Sequence, residues 1–104
     1  MPDVVNSNKR FIDITGADGT TAIADDYEAG IGQLYSITFI PGGASDELVI
    51  KDGAEDAPII AHISVAATTD MRQLHFFGRS ASPFLDVSDC SFTAGARVLL
   101  HHET

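Results

Sequence analysis

Between residues 34 and 65 the apolar side chains recur at every second position, and that period commits the chain to extended strands rather than helix. Tyr35, Ile37 and Phe39 fall on one side of an extended segment. Ile59, Ala61, Ile63 and Val65 do the same in a later one, with Ile50-Lys51-Asp52-Gly53 turning the chain between them. Phe11-Ile12-Asp13-Ile14-Thr15 alternates as well, and Gly16-Ala17-Asp18-Gly19 turns it towards residues 20–24, which reads as an opening hairpin. Asp25-Asp26-Tyr27-Glu28-Ala29-Gly30 is a polar loop. Further strands are expected at 33–40, 47–51, 59–66, 73–77, 83–87, 91–93 and 97–102, closed by Pro41-Gly42-Gly43 and similar breakers. No segment carries a helix period. The expected fold is all-β, an antiparallel β-sandwich or jelly roll of about eight short strands. Residues 1–9 show neither period and read as an extended N-terminal arm, leaving 10–104 as a single β-sandwich domain, since 104 residues suit one core.

Composition narrows the class. Hydrophobic residues make up 44% of the chain, too many for disorder, and no run nears the roughly 18 apolar residues a membrane helix needs. Met1-Pro2-Asp3-Val4-Val5-Asn6-Ser7 lacks the basic start and apolar stretch of a secretory signal, so folding in a cytoplasm with no membrane partner is expected. The formal charge is −9, from 15 acids against 6 bases, and only Lys9 and Arg10 adjoin among the bases. Phosphate recognition wants clustered Lys and Arg, so nucleic acid is not the expected partner. Free copies repel one another, and self-assembly must work through apolar or hydrogen-bonded contacts.

Candidate chemical sites fare poorly on spacing. Asp13, Asp18, Asp25 and Asp26 offer oxygen ligands for calcium but miss the EF-hand pattern, and Asp beside Gly is ordinary turn chemistry. His62, His75 and His101 lie on outward faces of neighbouring strands, where zinc could join them with Glu103, yet neither they nor His102 has zinc-site spacing. The lone Cys90 excludes an internal disulfide and reads as a small packed residue. Gly78-Arg79-Ser80-Ala81-Ser82 comes near a nucleophile elbow but ends in Ser and lacks the strand-turn-helix context, and Pro41-Gly42-Gly43-Ala44-Ser45 lacks the lysine of a phosphate loop. No nucleophile, base and orienting group assemble. The expectation is a non-enzyme with no cofactor and no metal.

The alternation also turns apolar residues outward. With Leu74 and Phe76 facing the core, Phe77 faces out, and with Leu85 and Val87 inside, Phe84 faces out. Phe11, Ile60 and Leu99 sit similarly opposite their inward neighbours. These residues (Phe11, Ile60, Phe77, Phe84 and Leu99) form a candidate interface, weighed against a packing in which some strands are buried on both faces or a register shifted by one.

The order of these signals resembles small virion proteins of tailed bacteriophages. Tyr35-Ser36-Ile37-Thr38-Phe39, Leu48-Val49-Ile50-Lys51-Asp52-Gly53, Pro58-Ile59-Ile60 and Ser64-Val65-Ala66-Ala67 are followed by Phe76-Phe77-Gly78, Pro83-Phe84-Leu85-Asp86-Val87-Ser88 and Arg97-Val98-Leu99-Leu100. The resemblance runs over residues 30–102 and has no counterpart for 1–29. It implies a β-sandwich located in the virion after assembly in the bacterial host cytoplasm. Its implied role is capsid decoration or cement, bound to the major capsid protein or another virion protein. Symmetry suggests a homo-oligomer, with a trimer as the first geometry, and an edge strand or the arm could add to a neighbour's sheet. The rival class is a tail, neck or fibre-associated module binding a cell-surface glycan. Such sites want aromatic platforms, and the chain has no Trp and only Tyr27 and Tyr35 as tyrosines.

Overall fold

The structure is a computed structural model that describes residues 4–7, 10–16, 21–65 and 71–103. The strands are β1 (Val4–Ser7), β2 (Phe11–Thr15), β3 (Tyr27–Glu28), β4 (Gly32–Ile40), β5 (Glu47–Asp52), β6 (Ile59–Ser64), β7 (Arg72–Ala81), β8 (Pro83–Leu85) and β9 (Arg97–Glu103). A 3₁₀ turn at Val87–Asp89 is the one helical element among the described residues. The strands pair antiparallel into a five-stranded sheet, β1-β2-β9-β4-β7, and a four-stranded sheet, β3-β8-β5-β6. Alternation sends Ile12 and Ile14, Leu34, Ile37 and Phe39, and Val98 and Leu100 inward from the first sheet. Leu48, Ile50, Ala61, Ile63 and Leu85 meet them from the second, in one continuous core.

The all-β expectation is met, and its details shift for local reasons. Val4–Ser7 is paired with β2, so part of the expected arm belongs to the sheet. The partners of β2 are β1 and β9, and residues 22–24, expected as the second strand of an opening hairpin, are irregular. The turn at 17–20, with Asp18, and Ala66, the last residue of the expected 59–66 strand, lie outside the described residues. The expected 83–87 strand stops at Leu85 because the Asp86 carboxylate accepts the Ser88 N–H at 3.1 Å and caps the 3₁₀ turn. Of the expected 91–93 strand only a bridge between Ser91 and Glu47 remains.

Three register breaks matter more. In β4 the pairing jumps from Leu34 to Ser36 against both neighbours, so Tyr35 is an extra residue; Leu34 takes the inward place and Tyr35 turns out, contrary to the simple alternation. In β6, Ile50 pairs with Ala61 and Lys51 with Ile59, which leaves Ile60 as the bulged residue. Ile60 therefore packs against the core while Ile59 is 55% exposed, reversing the expected faces of both. In β7 the residues between His75 and Arg79 oppose Tyr35 alone, with Phe77 at φ 57° and Gly78 at φ 81°. A Cβ at Gly78 would stand 3.1 Å from the Tyr35 ring, so glycine serves there both for its backbone region and for the close approach.

His102 is fully buried on the inner side of β9, and neither ring nitrogen has a hydrogen-bond partner among the described residues. Its ring lies against the backbone of Gly32, where a Cβ would come 2.8 Å from Cε1 and Nε2.

At one end of the sandwich, buried Asp46 holds two loops together. Its Oδ2 accepts the Gly42, Gly43 and Thr93 N–H groups at 2.9, 3.3 and 3.0 Å, and its Oδ1 accepts the Thr93 hydroxyl at 2.6 Å. Burial works to raise this carboxyl's pKa, but the Thr93 and glycine hydrogen bonds together outweigh it and the net shift is downward. Replacement by alanine orphans these donors, so Asp46→Ala should cost about 2 to 3 kcal/mol in denaturant unfolding at pH 7. The folded pKa lies below the unfolded one, so this stabilisation is present above the unfolded value and fades as pH falls below about 4. The gap between wild type and Asp46→Ala should therefore narrow in acid.

Candidate functional site

The outer face of the five-stranded sheet carries a row of rings. Register sets Phe11 of β2 opposite His101 of β9, His101 opposite Ser36 of β4, and Ser36 opposite His75 of β7. The bulge adds Tyr35 to this row. The Phe11 and His101 rings stack at 4.6 Å, Tyr35 leans on His101 at 4.9 Å, and His75 lies 6.2 Å from Phe77. Polar groups edge the row: the Tyr35 hydroxyl donates to Gln33 Oε1 at 3.1 Å, and Gln73 Nε2 donates to Thr38 Oγ1 at 3.0 Å. Arg97 pairs with Asp13 at 3.0 Å and Arg10 with Glu103 at 3.4 Å. The face is thus ringed by neutralised charge and aromatic at its centre.

Of the residues proposed from sequence as an interface, Phe11 is 51% and Phe77 90% exposed, while Phe84 and Leu99 are half-buried. Phe11, Leu99 and Phe77 belong to the five-stranded sheet, Phe84 and Ile60 to the other. The set is therefore split between two faces, and Ile60 leaves it for the core. The histidines do not converge: His62 sits in the four-stranded sheet at 3.0 Å from Glu47, His75 and His101 are in the aromatic row, and His102 is inside.

The opposite sheet hides a constellation that spacing did not reveal. Strand β5 is buried on both faces from Leu48 to Lys51. The buried Lys51 Nζ donates to Asp86 Oδ2 at 2.9 Å, to Asp89 Oδ2 at 2.5 Å and to the Glu55 carbonyl at 2.5 Å. The Asp89 and Asp86 carboxylates push the lysine pKa up, well beyond its ordinary range. Asp86 is held low by Ser88 first and Lys51 second. Carboxylate oxygens of Asp26, Glu55 and Asp86 lie within 4.8 Å of one another, and Asp26 also accepts the Val87 N–H at 2.9 Å. Of the acids suggested for calcium only Asp26 joins this group, while Asp13 is tied to Arg97 on the other sheet. Of this group the Lys51 ammonium pairs with the Asp86 carboxylate.

Cys90 completes the edge of β5. Where β8 ends, its Sγ accepts the Val49 N–H at 3.2 Å and its thiol faces the Val49 carbonyl at 3.5 Å, taking the place of a ladder partner. Burial pushes the thiol pKa up to about 11, which suits a packed residue rather than a nucleophile.

No protein-family model matches the chain, and no curated protein or solved structure matches it either. Rings and amides thus lie on one sheet, and a buried lysine held by two carboxylates and a carbonyl on the other.

If Lys51 occupies a cation position, its removal should create a demand for one. Lys51→Met should unfold several degrees below wild type, and millimolar calcium should raise the midpoint of the variant while leaving wild type unchanged. Differential scanning fluorimetry with calcium and with EDTA reads both.

Proposed function

We propose that this chain is a virion structural protein of a tailed bacteriophage, a decoration or cement protein that docks on the capsid shell through the outer face of its five-stranded sheet. The observation that supports this reading most is the row Phe11, His101 and Tyr35, continued by Leu99, on the surface of a chain whose charge of −9 keeps free copies apart. A rigid sheet face with stacked rings offers apolar area at little entropic cost, because the rings are already held by one another. Burying one phenylalanine is worth about 1.5 to 3 kcal/mol, so a few such side chains per copy bind weakly alone. Many copies bridging joints of a shell then hold it by multivalency, since a subunit cannot leave without breaking every contact across its edges.

A second reading, a glycan-binding module, is favoured by one observation: the Gln33 amide accepts from the Tyr35 hydroxyl, and Gln73 holds a second amide on the same sheet, bonded to Thr38. Sugars stack on aromatic faces and hydrogen-bond to such amides.

Virions of the encoding phage should contain the chain, and virions lacking it should release DNA at a lower temperature. The double variant Phe11→Asp, Leu99→Asp should fold yet fail to bind those depleted particles in a sedimentation assay. Absence from virions, or unchanged heat resistance without it, would overturn the cement role. Glycan-array binding that Tyr35→Ala abolishes would install the second reading instead.

A further inference from the structure

Phe77 is the most exposed large apolar residue described, at 90%, and its backbone lies at positive φ. Its φ of 57° is a region a bulky side chain seldom adopts, and it persists because Gly78 follows at 81° under the Tyr35 ring. The backbone thereby projects the ring away from the core, where a partner could cover it. Two residues on, Arg79 is exposed and makes no ion pair among the described residues.

A complement lies on the same molecule. A cleft of about 660 Å³ opens between Glu28 and Ile31 on one side and the Asp52-Gly53 turn on the other, with residues 80–82 of the β7–β8 segment as its third wall. Ile31 at its rim is 80% exposed, and Glu28 and Asp52 are exposed as well. The cleft, lined by Glu28 and Asp52, adjoins a strongly negative region in which Asp26, Glu55, Asp56, Asp86 and Asp89 are set against Lys51 as the one base among the described residues there. By contrast, four of the chain's bases, Arg10, Arg72, Arg79 and Arg97, lie in or beside the strands of the other sheet, whose strands carry Asp13 and Glu103 as their acids among the described residues.

We propose that this cleft receives Phe77 and Arg79 of a second copy of the chain, the ring against Ile31 and the guanidinium between Glu28 and Asp52. The proposal rests on the homo-oligomer expected from the sequence, and not on the virion. An apolar contact flanked by opposite charges is what two copies carrying −9 each require, because overall repulsion is then offset where they touch. Reciprocal insertion closes a dimer, and insertion in one direction round an axis closes a trimer.

The test uses the full chain and light-scattering chromatography at tens of micromolar. Wild type should run above monomer mass. Phe77→Asp, which removes the ring, and the pair Glu28→Lys, Ile31→Asp, which spoils the cleft, should each weaken association by about tenfold or more, with unchanged circular dichroism. Mixed one to one, the two monomeric variants should associate again, because the cleft-spoiled copy still carries a ring and the Phe77→Asp copy still carries a cleft. A monomeric wild type, an oligomer indifferent to either variant, or a mixture that stays monomeric would overturn the proposal. A monomer that still decorates virions refutes this pairing and leaves the virion role standing; an oligomer that never enters virions does the reverse.

Discussion

Everything on the surface of this sandwich depends on the parity of its strands. An extended chain gives alternate side chains to opposite faces, so one inserted residue exchanges inside for outside beyond it. The structure uses that lever at Tyr35, at Ile60 and at the Phe76 to Gly78 segment. The first places Leu34 in the core and frees Tyr35 to lean on His101. The third keeps Phe76 packed and projects its neighbour Phe77. The aromatic face is thus a product of two bulges lying side by side on adjacent strands, with the glycine of one making room for the ring of the other.

Strand β5 carries the second constraint. It is covered on both sides, which a half-buried strand of a small sandwich rarely is, and it carries a lysine into that buried position. An ammonium out of water is costly unless its protons are satisfied. Lys51 meets that condition with Asp86, Asp89 and the Glu55 carbonyl, contacts that draw the β5–β6 turn and the 3₁₀ turn onto the same strand. The acids gathered there serve the lysine first. Their excess over one positive charge is what makes the end of the sheet negative, so a structural requirement and a surface field share an origin.

How much of this could be read from residues alone follows from range. Ile12 and Ile14, Ile37 and Phe39, and the outward Phe11 obey local alternation and were legible from it, while the outward Phe77 was expected from alternation but is set by a bulge. Tyr35, Ile59 and Ile60 were not, because a bulge leaves no mark in a period-two pattern until the partner strand is known. Nor did spacing point to the Asp26, Glu55 and Asp86 group: these residues come from three separate loops and meet only because β3, β5 and β8 are neighbours. Asp46 was similarly invisible, since its partners at Gly42, Gly43 and Thr93 belong to two different connections.

Charge segregation would reconcile a net charge of −9 with the proposed pairing of copies. A uniformly acidic surface would repel a like surface in every orientation, whereas a molecule with its arginines on one sheet and its surplus carboxylates at the other is repelled in most orientations and attracted in few. The Coulomb term then selects geometry rather than supplying affinity, because exposed pairs are individually weak and screened by salt. Affinity has to come from buried apolar area, which this fold concentrates in rings whose positions are set by backbone rather than by flexible side chains. In the proposed pairing, selection by charge and retention by aromatic contact are separate tasks: Arg79 between Glu28 and Asp52 serves the first, and Phe77 against Ile31 the second.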